Sequence, residues 1–236
     1  MPINNFNSLS KNLTQIIKIP KANQIGTLVR VVGLACEANG LNAPLGAICE
    51  IKSFITGKVV QAEVVGFQNE TIFLMPFTEA TGIGPGSSVE IISNDATAKV
   101  SHKLLGRVID ASGDPLDGKE KPFCNEEVSL RGIPINPMER TSIESILDVG
   151  VKAINSFLTI GKGQRIGLIA GSGVGKSSLM GMLTRFTEAD VVVIGLIGER
   201  GREVQEFIKE SLGKDGLKKS VVIAAPANIS PVLRIR

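Results

Sequence analysis

One eight-residue stretch constrains this chain more than any other: Ala170-Gly171-Ser172-Gly173-Val174-Gly175-Lys176-Ser177. It lies between a short apolar run, Arg165–Ala170, which reads as a strand, and a run with helical spacing, Ser177–Thr187. A strand, a Gly-rich turn and a helix in that order make a phosphate-binding loop. The glycines let successive backbone N–H groups point inward without Cβ clashes. The helix N-terminus adds unpaired donors and the positive end of its dipole. Lys176 supplies a point charge for the β- and γ-phosphates of a nucleotide, and Ser177 a hydroxyl for Mg²⁺. The strict pattern begins with Gly where this chain has Ala170; the Gly-Lys-Ser ending and its context outweigh that departure. The candidate nucleotide-binding residues are therefore Gly171, Ser172, Gly173, Val174, Gly175, Lys176, Ser177 and Ser178.

The surrounding pattern is α/β. Asp148 is placed to cap a helix running through Val151, Ile154, Phe157 and Leu158. Ala189–Ile197 and Ser220–Ala225 read as buried parallel strands, and Glu203–Leu212 as a helix closed by Gly213. Apolar strands alternating with helices imply a parallel sheet with crossover helices. Gly198-Glu199-Arg200-Gly201-Arg202-Glu203 follows directly on the first of those strands. Strand C-termini form the ligand edge of such a sheet, so Glu199 stands where a carboxylate orients the water that attacks a γ-phosphate.

Ahead of this region the period changes. Thr27–Ala35, Ala47–Ile51, Val59–Phe67, Thr71–Met75 and Val89–Ile92 are short β-rich runs. Turn signals such as Asn39-Gly40, Gly57-Lys58, Asn69-Glu70 and Pro85-Gly86 separate them. This spacing predicts a small antiparallel barrel without a catalytic cluster. Residues 110–140, rich in Pro and Asp-Gly, read as a connector. Phe6, Leu9, Leu13, Ile16 and Ile17 share one face of a helix over residues 5–18, which Pro20 stops. Such a helix either covers its own domain or docks on a partner or membrane surface. The expected division is an N-terminal amphipathic helix and linker at 1–20, a β-barrel at 21–95, and a partial nucleotide-binding domain at 96–236.

Composition excludes several function classes. The net charge of +3 is too small to argue for nucleic acid or anionic lipid. Trp and Tyr are absent, so a base-stacking platform has little to build on. Three cysteines at positions 36, 49 and 124 have no metal-type spacing, which points to free thiols in a reducing, cytosolic compartment. No run approaches the length of a membrane span, and the N-terminus lacks the features of a signal peptide.

The whole chain from residue 26 resembles the N-terminal half of the flagellar protein export ATPases, within the type III secretion ATPases. These are similar to the catalytic subunits of rotary ATP synthases. Leu28–Leu34 with Pro44-Leu45-Gly46, Ala62–Phe67, Leu74-Met75-Pro76, Leu105–Val108, Pro115–Gly118 and above all Leu147–Phe207 carry the match. The resemblance implies an ATPase with Mg-ATP bound between the subunits of a homohexamer and a RecA-like nucleotide domain. It assigns the phosphate-loop lysine to Lys176, the magnesium hydroxyl to Ser177 and the catalytic carboxylate to Glu199. Arg200 matches a position near the γ-phosphate, and Glu203 one that meets the magnesium through water. It further implies a stator-like regulator bound near residues 1–18, an export gate and substrate–chaperone complexes as partners. The place implied is the cytoplasm, peripheral to the cytoplasmic face of the inner membrane, and no nucleic-acid partner is implied.

The chain ends at Arg236 while the α/β pattern is still running. A later strand ending in a magnesium-organising Asp, an arginine finger and an adenine-stacking aromatic are not found. The expectation is a piece of a longer protein, weakly active or inactive by itself, with exposed strand edges prone to aggregation. A virulence-type secretion ATPase, an ATP synthase catalytic subunit and a non-enzymatic assembly module or remnant remain as alternatives.

Overall fold

A computed structural model describes residues 24–236 except Ile133 and Ser172. The helix expected over residues 5–18 lies outside the described residues. Six strands form the first unit: β1 (Ile25–Val32), β2 (Ala35–Asn39), β3 (Ile48–Lys52), β4 (Val59–Gln68), β5 (Thr71–Pro76) and β6 (Ser88–Ser93). They pair antiparallel in the order β1-β2-β5-β4-β3-β6 and close into a barrel. The alternation read in the sequence is what closes it. In β5, Ile72 and Leu74 point inward while Thr71 and Phe73 are partly exposed. Leu28, Ile51, Val64, Leu74 and Val89 fill the interior with Cys36, Cys49, Ala38 and Ala62. Register shifts in β1, β3 and β4 supply the bends that closure needs. Asn69, at φ 55°, takes the left-handed turn between β4 and β5.

Two strands differ from expectation. The run Thr27–Ala35 is broken, because Gly33 at φ +59° turns the chain into β2. The connector at 110–140 contains β9 (Glu126–Ser129), which pairs antiparallel with β7 (Thr97–Val100).

The second unit is a parallel sheet in the order β10-β11-β8, formed by β8 (Arg107–Asp110), β10 (Val192–Ile197) and β11 (Ser220–Ala225). Helices α1 (Lys152–Phe157) and α2 (Lys176–Phe186) precede β10. After β10 come α3 (Gly201–Glu206), a π-helical stretch Phe207–Leu212, and α4 (Gly213–Lys218); α5 (Pro231–Ile235) follows β11. Val108, Ile194, Leu196, Phe207, Leu212 and Val222 form the core between sheet and helices. On the opposite face Val193 and Ile197 are 67% and 50% exposed.

Arg165–Ala170 is not a strand: it is irregular, and Ile169 is 98% exposed. A lone strand has no ladder to satisfy its amides and carbonyls. Here β11 is already flanked by β10 and β8, and no described strand borders this run. Asp148 also departs from its expected role. α1 starts after Val151 with no side-chain cap, and the Asp148 carboxylate accepts hydrogen bonds from Gly150 N (2.6 Å) and Asn155 Nδ2 (2.7 Å). It ties the approach of the helix to its second turn.

Candidate phosphate-binding site

The phosphate loop keeps its sharp turn without a strand ahead of it. Gly173 and Gly175 have φ of +77° and +96°, and a Cβ at either would meet nothing within 4 Å. Backbone conformation, then, and not crowding, requires glycine at both positions. Gly175 caps α2, and the first helical bond runs from Leu179 N to Gly175 O at 2.9 Å. The amides of Lys176, Ser177 and Ser178 therefore have no helical acceptor. Gly171, Val174, Ser177 and Ser178 are exposed beside them.

Glu199 arrives from the other side. β10 ends at Ile197, Gly198 turns the chain at φ +74°, and its amide donates to Ala225 O at 2.8 Å. The carbonyl of Glu199 accepts from Ala227 N at 3.1 Å. Its carboxylate stands 3.6 Å from Lys176 Nζ, both side chains being half-buried. A small cavity of about 120 Å³ opens between them, lined by Lys176, Ser177, Met180, Glu199, Glu203 and Phe207. Arg200 lies outside that lining and pairs with Glu203 at 3.6 Å in solvent. Four of the candidate residues thus meet in one place, Lys176, Ser177, Glu199 and Glu203. Arg200 is not brought in with them.

The donors fit phosphate: Lys176 and Ser177 line the cavity, and the unpaired amides at the N-terminus of α2 lie beside it in sequence, with Gly171, Gly173, Val174, Gly175 and Ser178 outside the lining. They also fit Mg²⁺, which keeps several waters and takes its other ligands largely from the substrate phosphates. Ser177 offers one hydroxyl and Glu203 a nearby carboxylate, and among the described residues no cluster of three or more His, Cys, Asp or Glu competes to hold a metal alone. The walls contributed by Met180 and Phe207 were missed by motif reading. The signal for Phe207 was its four-residue step from Glu203, which puts both on one side of the helix. A larger cavity, about 340 Å³, lies between Ser53–Thr56 and Gly82–Ser87 of the barrel and has no ionisable side chain in its lining.

Comparison with known proteins places these features in a family. The ATP synthase alpha/beta family beta-barrel domain matches residues 23–92, and the nucleotide-binding domain of the same family matches residues 150–236. The flagellum-specific ATP synthase of Salmonella typhimurium is 51% identical over 227 residues, covering 92% of this chain and 50% of that protein. That of Bacillus subtilis is 51% identical over 212 residues, covering 89% and 48%. Among solved structures, the type III secretion ATPase EscN of enteropathogenic E. coli, assembled with its central stalk EscO, superposes with a TM-score of 0.79 at 36% identity. That superposition covers 89% of this chain and 51% of EscN. The chain spans about half the length of the curated relatives it matches. With a closed β-barrel leading into a phosphate-loop sheet, and both of the family's domains matched in order, this chain belongs to the ATP synthase alpha/beta family.

Proposed function

We propose that this chain forms the barrel and much of the nucleotide-binding part of an ATPase that energises flagellar protein export. The observation that carries this reading is the convergence of Lys176 and Glu199, 3.6 Å apart, at the C-terminal edge of a parallel sheet. Identities of 51% to flagellum-specific ATP synthases against 36% to EscN favour the flagellar system over a virulence-type one.

In this reading the β- and γ-phosphates of ATP lie on the amides of Gly173 through Ser178 and draw Lys176 away from Glu199. Mg²⁺, when bound, would supply positive charge to offset that of the phosphates. The Ser177 hydroxyl would hold it, and the Glu203 carboxylate would meet it through water. Released from Lys176, the Glu199 carboxylate accepts a proton from a water whose oxygen bonds to the γ-phosphorus, while the bond from that phosphorus to the β-phosphate oxygen breaks and ADP leaves with the electron pair. Arg200 is the one catalytic candidate outside the cavity lining, paired with Glu203 in solvent. The assignment of 1–20, 21–95 and 96–236 as separate units belongs to the same proposal. So do a homohexamer, a regulator and an export gate as partners, export substrate–chaperone complexes as cargo, and a cytoplasmic place at the inner face of the membrane. Among the described residues no helix is long and apolar enough to cross a membrane.

Binding of a fluorescent ATP analogue with Mg²⁺ tests the site. Lys176→Ala should weaken binding about 10- to 100-fold, the loss of a charge-assisted hydrogen bond worth roughly 1.5–3 kcal/mol. Glu199→Gln should bind at least as tightly as wild type, since it removes a negative charge from beside the phosphates. Equal affinity of wild type and Lys176→Ala would overturn the assignment.

A further inference from the structure

The two walls of the candidate site are anchored differently. The Lys176 wall is α2, which packs on the π-helical stretch, where Arg185 donates to the Ser211 carbonyl. The Glu199 wall is held by the segment that leaves β11. Gly198 N donates to Ala225 O (2.8 Å), and Ala227 N donates to Glu199 O (3.1 Å). Three residues on from Ala227, Ser230 Oγ donates to Pro76 O at the end of barrel strand β5, at 2.8 Å. Val232 and Leu233 are buried against Ile48, Phe77 and Ala96. The Arg236 guanidinium donates to Thr97 O at 3.1 Å and lies 5.3 Å from the centre of the Phe77 ring. One short segment therefore bonds the backbone of the Glu199 turn at one end and the barrel at the other.

We propose that residues 226–236 are a strap that positions Glu199 and couples its turn to the β-barrel. The function of the strap rests on the reading of Glu199 as part of a nucleotide site. The turn Pro226–Ile229 is short and closed by its own hydrogen bond, Ile229 N to Pro226 O at 3.2 Å. It leaves little slack between Ala227 and Ser230. A shift of β5 or Phe77 relative to the sheet thus moves the carbonyl of Glu199, while α2 stays with its own helices. The Lys176–Glu199 separation becomes a readout of the barrel's position. By linkage, a nucleotide that separates Lys176 from Glu199 acts back on the barrel. Glu63 on β4 marks the polar side of the junction. Burial raises its carboxyl above the usual range, and Arg236 of the strap and Arg131 pull it back down.

Hydrogen exchange by mass spectrometry on the 236-residue chain tests the strap. Ser230→Ala/Arg236→Ala removes both polar anchors and leaves Val232 and Leu233 in place; Ser230→Ala alone is the milder second variant. Exchange at the Ala227 amide, which donates to the Glu199 carbonyl, and at the Gly198 amide, which donates to Ala225 O, should rise about tenfold in the double variant, as expected for losing one or two net hydrogen bonds. The interior of β11 should not change. A loosened 228–236 segment with unchanged exchange at Gly198 and Ala227 overturns the proposal. In the second arm, Mg²⁺ with a non-hydrolysable ATP analogue should slow exchange over residues 72–77 in wild type and not in the double variant. Slowing confined to the Lys176 loop overturns the coupling while leaving the nucleotide reading intact. If the analogue slows exchange nowhere, the nucleotide reading fails, and the first arm decides the strap by itself.

Discussion

Gly181 sits in the middle of α2, where glycine lowers helix stability, yet the packing leaves room for nothing larger. A Cβ built there would overlap the carbonyl oxygen of Ser211 and stand 2.9 Å from the Ser211 Cβ. Two effects oppose each other in Gly181→Ala. Alanine gains about 1 kcal/mol over glycine in a helix interior. Overpacking a rigid contact costs about 1–3 kcal/mol. The contact here is a backbone carbonyl, which cannot swing aside as a side-chain tip does, and it is already bonded to Arg185. A contact that cannot yield puts the cost in the upper part of that range, about 2–3 kcal/mol, so the clash wins with a net destabilisation of about 1–2 kcal/mol, lowering Tm by about 2–4 °C per kcal/mol in a chain of this size.

Gly201→Ala is the control. Gly201 opens α3 at negative φ, and a Cβ there meets nothing within 4 Å. This change should be neutral or stabilise by up to about 1 kcal/mol. The assay is urea or thermal unfolding followed by far-ultraviolet circular dichroism at the helical band, because the chain has no Trp or Tyr to follow by fluorescence. A Gly181→Ala protein as stable as Gly201→Ala would refute the reasoning. It would mean that α2 and the π-helical stretch slide apart at no cost, and that the Lys176 wall of the site is not fixed by that contact.

Three further outcomes follow. The Asp117 carboxyl is held well below the usual carboxylate range by the Arg107 guanidinium, at 2.6 and 2.9 Å, against burial that pushes it up. A depressed folded pKa contributes stability above the unfolded value of about 4 and loses it as pH falls through the folded value. Asp117→Asn should therefore be less stable than wild type at neutral pH, with the gap closing below about pH 4; a gap that widens on acidification would contradict this. Of the thiols, Cys36 and Cys49 are buried in the barrel, and burial pushes Cys49 up to about 11. Only Cys124 should react with a thiol reagent in the folded protein, since thiolate and access are both required; three equally fast thiols would mean the barrel is open. Finally, removing Mg²⁺ should weaken nucleotide binding in wild type, and more than it does in Ser177→Ala, because that variant has lost the hydroxyl assigned to the metal; an equal effect in both would release Ser177 from that role.

The barrel was legible because strict alternation runs from Val59 to Val64 of β4 and through β5, and a slip of one residue there would turn Val64 and Leu74 outward. What escaped was whatever lacks a period. Val31-Val32-Gly33-Leu34-Ala35 reads as one apolar run, and only the positive φ of Gly33 shows that it reverses direction. β9, Glu126–Ser129, is exposed at every residue and carries no burial pattern to read. Arg165–Ala170 failed the other way: its apolar composition announces a strand, but a strand exists only as part of a ladder, and composition says nothing about who the neighbour is.

The same distinction separates the two halves of the site. Lys176 and Glu199 could be brought together in advance because each sits at a predictable point, one at the start of a helix and one at the carboxyl end of a parallel strand. Their 3.6 Å approach follows from the topology. The strap could not be anticipated, since its ties to Glu199 and to Pro76 use main-chain carbonyls, which any residue offers. Side-chain chemistry thus marks the proposed phosphate site in the sequence, whereas the proposed strap is built from main-chain bonds that leave no such mark. A change at Ser230 or Phe77, remote from every motif in the chain, should therefore register at Glu199 sooner than a change on the exposed face of β10, which touches the sheet but not the strap.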